Sequence, residues 1–312
     1  MEIAIRPVAS DEDYERWRQV RLAVLPYERA PSVPELRDQA GEQRRYFLAG
    51  LDGKLAGSGI VGKSDLTGAG SLAARVLPEQ RRRGVGTALL RLLAEQAAAM
   101  GFGVAGTNID DPGSVRFAER YGFTEVDRQV EQVRAIGDEP MPWVPQGVVI
   151  VPVSARPELW RAAYESVGVQ AFRDVATISP LDVTLAEWER DWITNRDATF
   201  VALAGDEVIG CAGLMPDLDN PQRAEHSLTA VRRDWRRRGV AAALKRSTLA
   251  WASAHGLTEV YTWTQRGNDG MRALNTHLGF ITRRESISMR ASLPLTAVPA
   301  AGTEHPASGP ST

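Results

Sequence analysis

Hydrophobic and polar positions alternate in the same order in two successive stretches of the chain. In the first, Glu2–Pro7 reads as a strand, with helices over Asp11–Val24 and Pro34–Gln43. Arg45–Leu51 and Leu55–Val61 follow as a hairpin around Asp52-Gly53. Ser71–Leu77 is a further strand. Between Gly84 and Met100, Leu89, Leu92, Leu93 and Ala97 recur at the spacing of a helix with one apolar face. Val104–Asn108 predicts a strand, Ser114–Tyr121 a short helix and Thr124–Ala135 a strand that closes the unit. The second stretch runs the same way: a strand at Val148–Val153, helices around Pro157–Gly168 and Leu185–Asn195, and a hairpin of Thr199–Ala204 with Glu207–Leu214. A strand at Ser227–Val231, a helix at Val240–His255, a strand at Glu259–Thr264, a helix at Asp269–Leu278 and a last strand at Ile281–Ala291 complete it. Frequent hairpins among few helices predict an α+β fold, a mixed, mostly antiparallel twisted sheet flanked by helices in each half.

The 312 residues suit two domains, as the repetition demands. The expected boundaries are 1–137 for the first unit, 138–147 for a proline-rich linker and 148–291 for the second unit. Residues 292–312 lack periodicity and are expected to form an unstructured tail. Composition removes several function classes. No apolar run is long enough for a membrane span, and the N-terminus has no signal-peptide core. A net charge of −2 gives no general attraction to nucleic acid. Cys211 is the only cysteine, so neither an internal disulfide nor a cysteine-rich zinc site is available. Its apolar neighbours mark a buried structural thiol. A cytoplasmic protein without a metal, a membrane or a nucleic-acid partner is expected.

Candidate chemistry sits at two turns. Arg81-Arg82-Arg83-Gly84-Val85-Gly86 returns as Arg236-Arg237-Arg238-Gly239-Val240-Ala241, an offset of 155 residues (239 less 84). Each turn leaves a strand and opens a helix. Glycine removes the side chain where a phosphate must approach the backbone, the N–H groups of a first helical turn point at the anion, and arginines pair with its oxygens. The spacing suits a pyrophosphate. It is not the dinucleotide fingerprint, and it lacks the Lys-Ser/Thr of a P-loop.

With those turns, and with Asp111 to Tyr121-Gly122-Phe123 and Asn268 to Leu278-Gly279-Phe280 after them, the chain resembles the GNAT superfamily of acyl-CoA-dependent N-acyltransferases, in tandem. The resemblance covers both stretches. It implies that acetyl-CoA lies between the fourth and fifth strands of a unit. Its pantetheine would pair with backbone at Arg75–Leu77, including Val76 and Leu77, or at Thr229, Ala230 and Val231. Its pyrophosphate would sit on Arg81, Arg82, Arg83, Gly84, Val85, Gly86 and Thr87, or on Arg236, Arg237, Arg238, Gly239, Val240, Ala241 and Ala242, with Asn268 opening the later helix. The acceptor implied is a small-molecule primary amine attacking the thioester directly.

The two halves differ in catalytic groups. Gly68–Ala74 is small and apolar, with Asp65 before it, whereas Glu225 and His226 precede the second fourth strand as candidate bases. The tyrosine acid usual in the family is replaced by Ala118 and by Asn275, which retains a neutral donor. Asp111 would repel a CoA phosphate. Tyr261, alternating with Trp263, reads as packing. Asp217 and Asp219 either solvate a turn or line a groove for a cation. The expected assignment is chemistry in the second half, with Glu225, His226 and Asn275 as catalytic candidates. The first half would bind CoA weakly or shape the acceptor site. Two competing classes remain: a non-catalytic acyl-CoA sensor and an aminoacyl-tRNA-dependent transferase, the latter opposed by intact phosphate turns and near-neutral charge.

Overall fold

A computed structural model describes residues 1–64, 69–140, 142–175 and 183–296. The first half (N-half) runs β1 (Ile3–Pro7), α1 (Asp11–Val24), α2 (Val33–Gln39), β2 (Arg44–Leu51), β3 (Lys54–Lys63), β4 (Gly70–Val76), α3 (Val85–Ala99), β5 (Val104–Ile109), α4 (Pro112–Glu119) and β6 (Thr124–Ala135). The second (C-half) runs β7 (Val148–Pro152), α5 (Leu159–Ala163), a π-helical turn, α6 (Val169–Val175), α7 (Leu185–Asp191), β8 (Thr199–Ala204), β9 (Glu207–Pro216), β10 (Arg223–Val231), α8 (Val240–Ala254), β11 (Glu259–Gln265), α9 (Asp269–His277) and β12 (Ile281–Ser292).

Local chemistry explains where the helices begin. Ser10 caps α1 by accepting from the Asp13 N–H, and three acidic residues fill its first turn. Ser32 with Glu35, and Thr184 with Glu187, form reciprocal capping boxes for α2 and α7. The predicted helix to Gln43 stops at Gln39 because the chain must turn into β2. α3 buries Leu89, Leu93 and Ala97 against β3, while α1 covers the opposite face through Trp17, whose Nε1 donates to the Gly59 carbonyl at 2.9 Å. In the C-half, Trp160 and Trp188 stack at 4.2 Å beneath the helices of that same face. Cys211 lies fully buried in this core, and burial pushes its thiol up to about 12.

The described strands join into one twelve-stranded sheet in the order β1-β2-β3-β4-β5-β12-β6-β11-β10-β9-β8-β7. The expectation that Thr124–Ala135 closes the first unit, and Ile281–Ala291 the second, is corrected. The closing strands are exchanged: β12 lies between β5 and β6, and β6 lies between β12 and β11. Glu131 of β6, fully buried, is held by Arg283 (2.8 Å) and Arg284 (2.6 Å) of β12, with Arg223 of β10 at 3.5 Å. The boundaries at 137 and 148 therefore separate the halves along the chain, not in space. The expected tail is also shortened, because Leu293 and Leu295 pack on the N-half core. A chain cut after Gly279 strips β5 and β6 of their shared partner and leaves Glu131 without Arg283 and Arg284, a loss of several kcal/mol on the order of 3–5. It is expected to lose soluble monomer in sedimentation; a folded monomer without β12 would refute the exchange.

Candidate acyl-carrier clefts and catalytic groups

Two strand pairs in the sheet are parallel, and both separate almost at once. β4 and β5 pair only at Gly70–Ala105 and Ser71–Gly106; β10 and β11 pair only from Arg223–Glu259 to Glu225–Tyr261. Beyond those rungs the strands splay. The β10 backbone groups at Ser227–Ala230 that point away from β9 find no partner on β11. Each gap opens into a cleft, of about 480 Å³ in the N-half and about 470 Å³ in the C-half.

The arginine-glycine turns floor these clefts. Arg82 (φ 63°) and Arg237 (φ 62°) take the left-handed conformation, as do Gly84 (φ 88°) and Gly239 (φ 83°). For the arginines this costs about 1 kcal/mol or more, repeated identically in both halves. The reversals start α3 and α8 with no side chain capping them, so their first-turn N–H groups face the clefts. Arg81 and Arg236 fold back, each Nε donating to the strand-end carbonyl of Val76 (3.2 Å) or Val231 (3.0 Å). Arg82 and Arg237 line their clefts with no partner among the described residues. Arg236 is further neutralised by Asp174, which also binds Arg233.

Most residues assigned to coenzyme binding line these two clefts. In the C-half they are Thr229 to Val231, Arg236, Arg237, Gly239 to Ala242 and Asn268; in the N-half, Val76, Arg81, Arg82, Gly84, Gly86 and Thr87. Four do not. Arg238 stacks on Trp235, Arg83 turns to Gln80, Val85 is buried beneath the turn, and Leu77 only leads into it. Asn268 and Asp111 occupy equivalent helix caps, accepting from Met271 N–H at 3.3 Å and Ser114 N–H at 2.9 Å. Thr229 keeps a buried hydroxyl with no partner, facing the C-half cleft. In the C-half, uncapped N–H groups, the free Arg237 guanidinium and the orphan Thr229 hydroxyl lie along one splay and fit a diphosphate-bearing pantetheine thioester. Gly239→Val places a β-branched side chain at φ 83°, its Cβ 3.3 Å from the Trp143 ring. We expect a loss of coenzyme A affinity of tenfold or more, on the order of 1.4 kcal/mol. Calorimetry should show it; Gly84→Val should spare turnover, and the opposite pattern would move the chemistry to the N-half.

The catalytic candidates separate. Glu225 lines neither of these two clefts; it stands at the last paired rung of β10 and β11, where the splay begins, and its Oε2 accepts from Tyr261 Oη at 3.2 Å. Burial, then the nearby Glu28, hold its carboxyl above the ordinary range; Arg29, Tyr261 and Arg21 act the other way. His226 is corrected. Strand alternation turns it to the opposite face, where it is 3 % exposed and its Nε2 lies 3.2 Å from Thr248 Oγ1. Burial, then Lys245, keep its pKa well below the usual value, as a neutral imidazole of the core. Asn275 is corrected as well: fully buried, it donates to Gln132 Oε1 of the exchanged β6 at 3.0 Å and lines neither cleft. Asp217 accepts from the Asp219 N–H, and Asp219 binds Arg18 at 2.6 Å, so the pair ties the halves together. Asp65 lies outside the described residues.

Tyr261 does pack, but its hydroxyl also bridges Glu225 and the N-half, accepting the Arg29 N–H at 2.7 Å. Neither this contact nor Glu28 and Arg21 nearby had a signal in the sequence. Those residues lie about two hundred positions from Glu225, and only the tertiary fold assembles them.

No helix among the described residues is long and apolar enough to cross a membrane. The model of the Acetyltransferase (GNAT) family matches residues 10–123 and again 159–280. Mycothiol acetyltransferase of Saccharomonospora viridis is 26% identical over 88% of this chain and 94% of its own length. The mycothiol acetyltransferase of Geodermatophilus obscurus is 27% identical over 82% and 86%. Among solved structures, a tandem GNAT protein from the clavulanic acid biosynthesis pathway superposes with a TM-score of 0.75 at 19% identity, covering 96% of this chain and all of that one. Two family matches, each spanning an arginine-glycine turn and a strand splay, establish that the chain belongs to the GNAT acetyltransferase family, with the fold present twice in tandem.

Proposed function

We propose that the chain transfers an acetyl group from acetyl-CoA to a primary amine of a small molecule, with the chemistry in the C-half. The observation that carries this reading is Glu225, a buried carboxylate at the apex of the C-half splay. The strand register puts Ser71 opposite Gly106 in the N-half where it puts Glu225 opposite Tyr261 in the C-half, so the N-half has a hydroxyl and no carboxylate at that rung. Arg237, Thr229 and the first-turn N–H groups of α8 would hold the coenzyme, which when bound supplies an electrophilic thioester carbonyl and a thiolate leaving group. Glu225 takes the proton from the acceptor's ammonium, and burial, which raises its affinity for protons, suits it to that task. Free N–H groups on β10 are donors for negative charge developing on a carbonyl oxygen. The N-half, with turn and cleft intact but no apical carboxylate, binds the coenzyme without turning it over.

The names of the curated relatives add mycothiol-type acceptors to the amines worth testing. Acetyl-CoA titration by calorimetry, followed by an amine screen reading free thiol, tests the proposal. Binding with no thiol release from any amine would leave the non-catalytic sensor in its place.

A further inference from the structure

Behind the N-half cleft, the splay between β4 and β5 continues into a second cavity of about 130 Å³. The two spaces share Ala74, Arg75, Asp111 and Phe117 in their walls, so they form one passage. The arginine-glycine turn stands at its outer end. Leu72, Leu90, Ala118 and Phe123 line the inner part. Val24 and Leu25, at the end of α1, carry that lining to the α1 face of the sheet.

Arg75 is the cation of this passage. Leu72 and Ala74 pack into the core beneath α3, so strand alternation sends Arg75 out by the α1 face, where its guanidinium lies 5.6 Å from the Trp17 ring. Its side chain has no ion pair or hydrogen bond among the described residues, and its Nη1 is closed to solvent. An unmet guanidinium donor in a closed place is costly, and a planar carboxylate meets it with paired bonds. The wall across the splay repels an anion: Asp110 and Asp111 follow β5 there, and Asp111 already accepts from the Ser114 N–H at 2.9 Å. A carboxylate in the passage is thereby directed to the Arg75 end. The C-half carries no such charge. Val76 and Val231 are matched positions, each carbonyl accepting from the Nε of the first arginine of its turn. The residue before Val231 is Ala230, so a methyl group stands where the N-half has a guanidinium.

We propose that the N-half cleft selects a coenzyme A thioester whose short acyl group ends in a carboxylate, of the malonyl or succinyl type, with Arg75 holding that carboxylate. The inner cavity has room for about four water-sized groups of ~30 Å³ each, which suits such a tail and excludes a fatty-acyl chain. The claim rests on the reading of the N-half as a coenzyme site without turnover. It goes beyond that reading in naming the ligand and in giving the two halves different thioesters.

Calorimetry on the full chain carrying Gly239→Val, with no amine present, isolates the N-half. Malonyl-CoA is compared with isovaleryl-CoA, and succinyl-CoA with isocaproyl-CoA; each pair shares a shape and differs in the terminal charge. The carboxylated member should bind tighter by on the order of tenfold or more. Adding Arg75→Met should bring that ratio toward one and leave the affinity for acetyl-CoA in place, and Arg75→Lys should restore part of the ratio. Equal or tighter binding of the apolar member overturns the proposal. So does a preference that survives Arg75→Met, because the extra charge would then be felt by the arginine turn. Arg75→Met weakening coenzyme A, acetyl-CoA and succinyl-CoA alike also overturns it, since Arg75 would then serve the carrier. In the chain without Gly239→Val, the preference should persist and Gly84→Val should remove it; a preference that outlasts Gly84→Val places it in the C-half and sinks the claim. If the Gly239→Val chain binds no coenzyme A ester, the reading of the N-half as a coenzyme site fails. If it binds every ester alike, that reading stands and the proposal alone fails.

Discussion

Glu225→Gln should lower kcat/KM for the amine by roughly 10²–10⁴-fold, the range expected when a positioned base is removed. The substitution keeps size and an oxygen that accepts from Tyr261, so packing is preserved and only proton abstraction is lost. The pH profile supplies a second reading. Burial and Glu28 raise the Glu225 carboxyl, so wild-type activity should climb with pH along a limb centred above the usual carboxylate range. That limb should disappear in the glutamine variant. Stopped assays of thiol release from pH 5 to 9 measure both effects. Unchanged kcat/KM, with the limb retained, would transfer the proton to another group and remove the basis for placing chemistry in the C-half.

Lys245→Met should make the protein considerably more stable. Lys245 on α8 is 1 % exposed, lies 5.4 Å from the Phe280 ring, and has no ion-pair partner among the described residues. Burial pushes its pKa down to about 7 from an ordinary 10.5. Because the folded pKa is depressed, the unfolded chain holds the proton more tightly than the native one. Stability therefore rises with pH between about 7 and 10.5 and is lowest below that window. The depressed His226 acts with the same sign at lower pH, removing stability as pH falls below the imidazole's usual value. Methionine of similar shape should raise the unfolding free energy by about 3–5 kcal/mol at pH 6 and by markedly less above pH 9. Urea midpoints at several pH values decide the matter. A stabilisation independent of pH would mean that Lys245 is not held as a buried charge in the native state.

The candidate site was legible in uneven measure. Arg81–Gly86 and Arg236–Ala241 were visible because a positive-φ glycine before an uncapped helix is a local device, written in consecutive residues. Glu225 was visible because it adjoins the strand leading to such a turn. His226, its immediate neighbour, was misassigned: in a strand successive side chains leave opposite faces, and sequence does not say which face meets the cleft. Asn275 was misassigned for a related reason. Its place on α9 is set by β6, and nothing near residue 275 announces a strand residue 143 positions earlier. Tyr261 was read as packing, half of its role, because its hydroxyl partner Arg29 belongs to the other half.

The amino-acid order alone determined the elements, their repetition, and the two arginine-glycine turns that open α3 and α8, since hydrophobic period and turn chemistry act over a few residues. Tertiary structure alone decided which strands adjoin. Thr124–Ala135 and Ile281–Ser292 both read as strands, and strand character does not specify a neighbour. The exchange of those two strands draws Glu131, Arg283 and Arg284 into one buried group and fuses the halves along a common sheet. Across the same junction the N-half segment at residues 25–32 reaches Tyr261 and Glu225, a meeting that depends on long-range packing and leaves no trace in local pattern.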